Sequence, residues 1–376
     1  MSNASITQGK NFGTAIKQYC KNTWNAKGVK QIFSVLGGSI ILIIILTIIN
    51  SNFINQGNIR DMIRELGPYI IIGIGQALVI ITGNIDLSIG SVYSSSAMIS
   101  AVLMSKNGVH PFPAILVSLI VGVAIGFING QLVSRFKLPP FIATLGTMFA
   151  GRGLAWIVNK SSATGSIADG IGQSTATAFR KFFYSTTFWV LGTTIIIALV
   201  VWVIAYLFLS KTKYGRHIYA VGSNKEAARL SGVNVGKTTT LVYMISGFCA
   251  ALAGIISVAK IGIAQPDVGQ TMEMYAVAVA VIGGISTLGG VGILQGVIVG
   301  SIMWVVLDNG LNMAKLDNSI KFIVVGVVVV LAVSIDILVR KAGDRKNLVA
   351  VQASKNVETN ENEEISKNIN DEQKIQ

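Results

Sequence analysis

Charge, histidine and cysteine are scarce in this chain. Only 12% of its 376 residues are Asp, Glu, Lys or Arg, against roughly 25% in a soluble globular protein. Two histidines, His110 and His217, and two cysteines, Cys20 and Cys249, supply no disulfide framework, no zinc-ligand spacing and no H-E-x-x-H. No metal site is expected. VNVGKTTTL at 233–241 ends like a phosphate-binding loop, but G-x-x-x-x-G-K-[ST] needs four residues between its glycines to wrap backbone N–H groups around phosphates. Gly232 and Gly236 enclose only Val233, Asn234 and Val235, and Ser231 stands where the first glycine belongs. A Walker B strand and an LSGGQ signature are also lacking. The sequence therefore predicts no catalytic residues, no ATP hydrolysis and no cofactor bound by this chain. Polar residues fill about the first thirty positions before any apolar run, so no cleavable signal peptide is expected.

Apolar residues are plentiful: 52% of the chain, with a mean hydropathy of +0.64. VLGGSIILIIILTII at 35–49 and IVVGVVVVLAVSIDIL at 323–338 are nearly free of charge, as bilayer-crossing helices are. One soluble core cannot hide so many such runs. Ten spans are predicted, at 33–51, 67–83, 88–105, 113–134, 140–158, 187–209, 239–261, 272–289, 291–312 and 320–339. With the N-terminus cytoplasmic, twenty Lys and Arg fall inside and seven outside, the latter being Arg60, Arg64, Lys106, Lys160, Arg180, Lys181 and Lys315. That is the positive-inside bias. The fold class follows: an all-α, polytopic bundle in the cell membrane, about ten helices, both termini cytoplasmic. A cytoplasmic arm would occupy 1–32, the transmembrane domain 33–340 and a disordered polar tail 341–376. The net charge of +13 is placed in loops without interleaved aromatics. It suits lipid headgroups rather than nucleic acid.

The one extended internal cytoplasmic loop, 211–238, contains NKEAARLSG. Asn224 is placed to cap a helix, Glu226 sits in its first turn, and Gly232 suits a left-handed C-terminal position. Glu226-Ala227-Ala228…Gly232, with Arg229 between, matches the E-A-A-x-x-x-G pattern of permease subunits in bacterial ATP-binding cassette (ABC) importers. TKYGRHIYAVGSNKEAARLSGV, GNIDLSIGS, KLPPFIATLGTMFAGRGLA, ISGFCAALAGII and GGISTLGGVG…DNGLN narrow it. Together they resemble the permeases for ribose, galactose and related simple sugars, from about Ile63 to Arg340. The resemblance implies that Asn224, Glu226, Ala227, Ala228, Arg229 and Gly232 form a coupling helix that docks on a separate ABC-type ATPase, which holds the ATP and Mg. It also implies an extracytoplasmic sugar-binding protein and a second permease copy, a homodimer being expected. GKTT then merely leads into the seventh span, with Lys237 at headgroup level.

Polar residues inside apolar spans are candidates for the route of the substrate. Asp86, in GNIDLSIGS, either marks a broken segment lining the pathway or caps the third helix. Asn129 and Asn309 each precede a glycine; a buried amide needs partners on other helices or on a substrate. Phe141, Thr144 and Thr147 are taken to share one face of a helix after Pro139-Pro140. Helix–helix glue explains these residues equally well. Two alternatives stand beside the sugar importer: an ion-coupled secondary transporter with Asp86 as its ion site, and a permease of this type for nucleosides or another small polar solute.

Overall fold

A backbone surrounded by hydrocarbon must satisfy its N–H and C=O groups within its own segment, so apolar runs become helices. The computed structural model describes residues 29–185 and 192–315 and, with gaps, 317–337. Nearly all of the arm 1–32 and the whole of the tail 341–376 lie outside the described residues. The chain divides into a unit Met1–Val329 and a second, Val330–Gln376, of which only scattered helical residues are described.

The first unit contains α1 (Val29–Ile49), α2 (Gln56–Ile81), α3 (Ile89–Ser105), α4 (Pro111–Ser134) and α5 (Pro140–Val158). Two short helices follow, α6 (Ile167–Ile171) and α7 (Gln173–Phe183), and then α8 (Thr193–Lys211), α9 (Lys213–Ser223) and α10 (Lys225–Leu230). The last are α11 (Val235–Ile261), α12 (Met272–Ile282) and α13 (Gln295–Met313). Six of these, α2, α4, α5, α8, α11 and α13, are long and apolar enough to cross a membrane. Phe33–Ile49, α3, α12 and a helical stretch at Ser319–Leu331 are shorter apolar helices.

Several boundaries differ from the sequence expectation. The second helix begins at Gln56, eleven residues before the expected span. Arg60, Asp61, Arg64 and Glu65 hid it from a hydropathy window, yet Asn55 starts it by accepting the Gly57 N–H at 2.9 Å. The expected span 272–289 is helical only to Ile282. Gly284, Gly289 and Gly290 then take positive φ, and the chain turns on itself, Ser286 N–H donating to Val291 O at 2.9 Å. The amphipathic α9, which buries Gly215, Ile218 and Val221, lies in what the hydropathy profile shows only as loop.

Helix α11 is the centre of the bundle, buried almost continuously from Thr238 to Ala259. It meets α4 backbone to backbone. A Cβ added to Gly126 would sit 2.2 Å from Tyr243 O, and one on Gly247 2.1 Å from Gly122 O. Only glycine permits that approach, which is how membrane helices gain packing without a hydrophobic drive between them.

The connections sort onto two ends. At one end Gly290 N–H donates to Ile81 O at 2.8 Å, and the Tyr219 hydroxyl to Gly292 O at 2.7 Å. This end gathers the turn 82–88, the loop 135–139, the α9–α10 segment and the glycine turn after α12. At the other end Thr164 N–H donates to Ala264 O at 2.9 Å, and Arg180 Nε to Ala259 O at 3.1 Å.

Candidate functional site

Helix α10 projects from the first of these ends. Asn224 Oδ1 accepts the Ala227 N–H at 2.9 Å, and Glu226 pairs with Arg229 at 2.8 Å while both stay exposed. Gly232 closes the helix with φ +81°, a left-handed conformation that glycine adopts without cost. Ala228 is buried against the bundle, whereas Glu226, Ala227 and Arg229 face outward. Leu230 is 84% exposed, a large apolar side chain standing free on a polar face. The helix is tied to the membrane domain through Lys225 Nζ, which donates to Asn84 Oδ1 at 3.4 Å. Helix α9, which leads into α10, is anchored through Tyr219, whose hydroxyl donates to Gly292 O and whose phenol burial pushes to a higher pKa. The GKTT stretch is the first turn of α11. Asn234 Oδ1 takes the Lys237 N–H at 2.9 Å, so the donor that a phosphate would need is already used.

Beside it, between α4, α8, α9 and α11, lies a groove of about 700 Å³ lined in part by Gln131, Arg135, Phe208, Tyr214, Lys237 and Met244.

Deeper in the bundle, Asp86, Asn129 and Thr147 come together. Thr147 Oγ1 donates to Asn129 Oδ1 at 2.6 Å, and Asn129 Nδ2 donates to Ser88 Oγ at 2.8 Å. Ser88 donates to Asp86 Oδ1 through its hydroxyl at 2.6 Å and its N–H at 2.9 Å. Ser246, in mid-α11, donates to Asp86 Oδ2 at 2.7 Å. Every bond in the chain points toward the carboxylate, which is 1% exposed; three direct donors offset the cost of burying it. Asp86 lies in the non-helical turn between α2 and α3, where it accepts the N–H of Ser88, the residue that precedes α3. Ser88 and Ser246, its partners, carry no sequence signal of their own.

The remaining candidates lie apart. Asn309 sits at the opposite end, exchanging two amide hydrogen bonds of 2.9 Å with Asn58. Phe141, Thr144 and Thr147 do not share a face. A helix turns 100° per residue, so two steps of three leave Thr147 about 120° from Phe141. Phe141 is exposed, Thr144 is buried, and the Thr144 hydroxyl bonds the Pro140 carbonyl of its own helix at 2.8 Å.

An ion pair went unread in the sequence because its members are 121 residues apart. Arg152 Nη2, on α5, contacts Glu273 Oε1, in the first turn of α12, at 2.8 Å. A charged residue inside each of two apolar spans was the available clue.

The family model described as branched-chain amino acid transport system / permease component matches residues 58–333. The chain is 36% identical over 310 residues to the ribose import permease protein of Bacillus subtilis (strain 168), covering 82% of this chain and 94% of that protein. It is 34% identical over 310 residues to the D-allose transport system permease protein of Escherichia coli (strain K12), covering 81% and 92%. With the galactose/methyl galactoside import permease protein of Haemophilus influenzae it shares 33% identity over 315 residues, covering 79% and 92%. No solved structure matches significantly.

Proposed function

The chain belongs to the family of branched-chain amino acid transport system permease components, and within it we propose a permease for a simple sugar of the ribose or galactose type. Relatives 33–36% identical to it are named for ribose, allose, fructose and galactose import, which favours a sugar over an amino acid or a nucleoside. It is a multi-pass membrane protein and a transport subunit rather than an enzyme. The four shorter apolar helices complete ten spans, with α10 and both termini on the cytoplasmic side. A separate ABC-type ATPase carries ATP and Mg, an extracytoplasmic binding protein delivers the sugar, and a second copy of this chain completes the pathway.

The observation that carries this reading is α10, a capped helix whose outward face is Glu226, Ala227, Arg229 and a bare Leu230. A secondary transporter has no use for such a knob. Closure of two ATPase subunits around ATP would push on α10. Lys225 and Tyr219 then pass the motion to the turn 82–88 and the glycine turn 283–292. Those turns meet the buried chain that ends on Asp86, so a shift at the knob reaches the helices that open and close the route.

Glu226→Ala removes an exposed i,i+3 pair worth a few tenths of a kcal/mol, so its effect on stability is small. Gly232→Pro is harsher, since proline requires φ near −65° and removes the N–H that bonds Arg229 O at 3.0 Å. Both variants are expected to insert normally, bind the ATPase more weakly and lose at least tenfold of ATP-dependent uptake in proteoliposomes. Uptake at the parental rate with the ATPase bound contradicts the assignment. Parental uptake should also survive collapse of the proton gradient at constant ATP; abolition would favour the ion-coupled alternative.

A further inference from the structure

Arg152 lies twelve residues into α5, beside Gly151, whose position is in contact with Ser91 near the start of α3. Two residues further along α3, Tyr93 packs on Gly254 of α11, seven residues short of the end of that helix. At 1.5 Å per residue this sets Arg152 on the order of 10 Å inside the bundle. Its partner is held rigidly. Glu273 stands in the first turn of α12, where the helix dipole favours an anion, and its side chain is only 7% exposed. Glu273 Oε2 fills the space that a Cβ on Gly90 would take and has no hydrogen-bond partner of its own. Arg152 is different, retaining 31% of its side-chain exposure and making one hydrogen bond, through Nη2.

A guanidinium has five N–H donors in a rigid fork, and most of these are open. A charge at this depth faces protein or water, because hydrocarbon penalises it by several kcal/mol. Two observations thus converge on one place, namely an unsatisfied buried carboxylate oxygen and a partly open guanidinium beside it.

We propose that Arg152 is a binding residue for the hydroxyl groups of the passing sugar, with Glu273 as the residue that fixes the plane of its guanidinium. Two adjacent hydroxyls on a sugar ring match two parallel N–H donors, and the neutralised pair has no net charge to trap ions. The contact is weak by design of its chemistry: hydroxyl oxygens are neutral acceptors, so the solute is steered and released. This inference rests on the sugar-permease reading.

The test uses the full complex of permease, ATPase and binding protein in proteoliposomes. R152Q is expected to lower sugar uptake at least tenfold while the permease still co-purifies with the ATPase in the parental ratio; R152K should recover part of the loss. R152C, made with Cys20 and Cys249 replaced by alanine, should react with a membrane-impermeant thiol reagent, and more slowly when sugar-loaded binding protein and ATP are present. Parental uptake by R152Q overturns the proposal, as does an R152C thiol that is unreactive or indifferent to sugar. Loss of co-purifying ATPase together with uptake also overturns it, marking the pair as structural. The permease reading fails separately, if the parental complex imports no sugar.

Discussion

At Asp86, a single carboxylate organises four elements: the turn after α2, the start of α3, and, through Asn129 and Ser246, α4 and α11. The physical logic is that of a buried anion with every hydrogen bond aimed at it. Removing the acceptor strands the Ser88 N–H and two hydroxyls, at about 1–3 kcal/mol for each group left unsatisfied. Asp86→Ala is therefore expected to lower the apparent melting temperature of the detergent-solubilised protein by several degrees, and Asp86→Asn, which keeps one carbonyl acceptor, by less. An unchanged melting temperature for Asp86→Ala would show that the chain of bonds contributes no stability. The sequence marked Asp86 and Asn129 as polar groups needing partners, because a charge or amide inside an apolar run is conspicuous. It could not name the partners. Ser88 and Ser246 are two serines among many, and their role exists only once α3 and α11 are side by side.

Among the helices, glycine decides where backbones touch. Gly122, Gly126 and Gly247 sit at the α4–α11 crossing, where an added Cβ would lie within 2.5 Å of backbone atoms or closer. Gly146, on the open face of α5, has nothing within 4 Å. Gly247→Leu should therefore force the two helices apart and sharply reduce the amount of protein recovered from membranes, while Gly146→Leu should be recovered at the parental level. Equal recovery of both would refute the crossing. Hydropathy made most helices legible, since α4 and α8 read as nearly uninterrupted apolar runs and the lone Arg152 does not break the run of α5. Their limits were less so. The first turns of α2 are charged and α9 is amphipathic, so a window tuned to continuous apolarity passes over both. The glycine turn after α12 is as apolar as a helix, and only its left-handed positions distinguish it.

On the scale of the whole molecule, the alternation of spans assumed in counting Lys and Arg has a structural counterpart. The connections that the count puts inside, at 84–87, 135–139, 210–238 and 290, gather at one end of the bundle, as the contacts of Gly290, Tyr219, Lys225 and Ser134 show. The sequence could supply this sorting because alternation follows from span number alone. Which end faces the cytoplasm is a matter of charge bias, and it carries the account of α10 as the point where work enters. A single cysteine answers it most directly. Leu230→Cys, with Cys20 and Cys249 replaced by alanine, can be probed in sealed right-side-out and inverted vesicles carrying the assembled complex. The account predicts modification by an impermeant thiol reagent only in inverted vesicles, and a cross-link from this position to the ATPase. Modification from the outside, or an accessible thiol that never joins the ATPase in an intact complex, would contradict it.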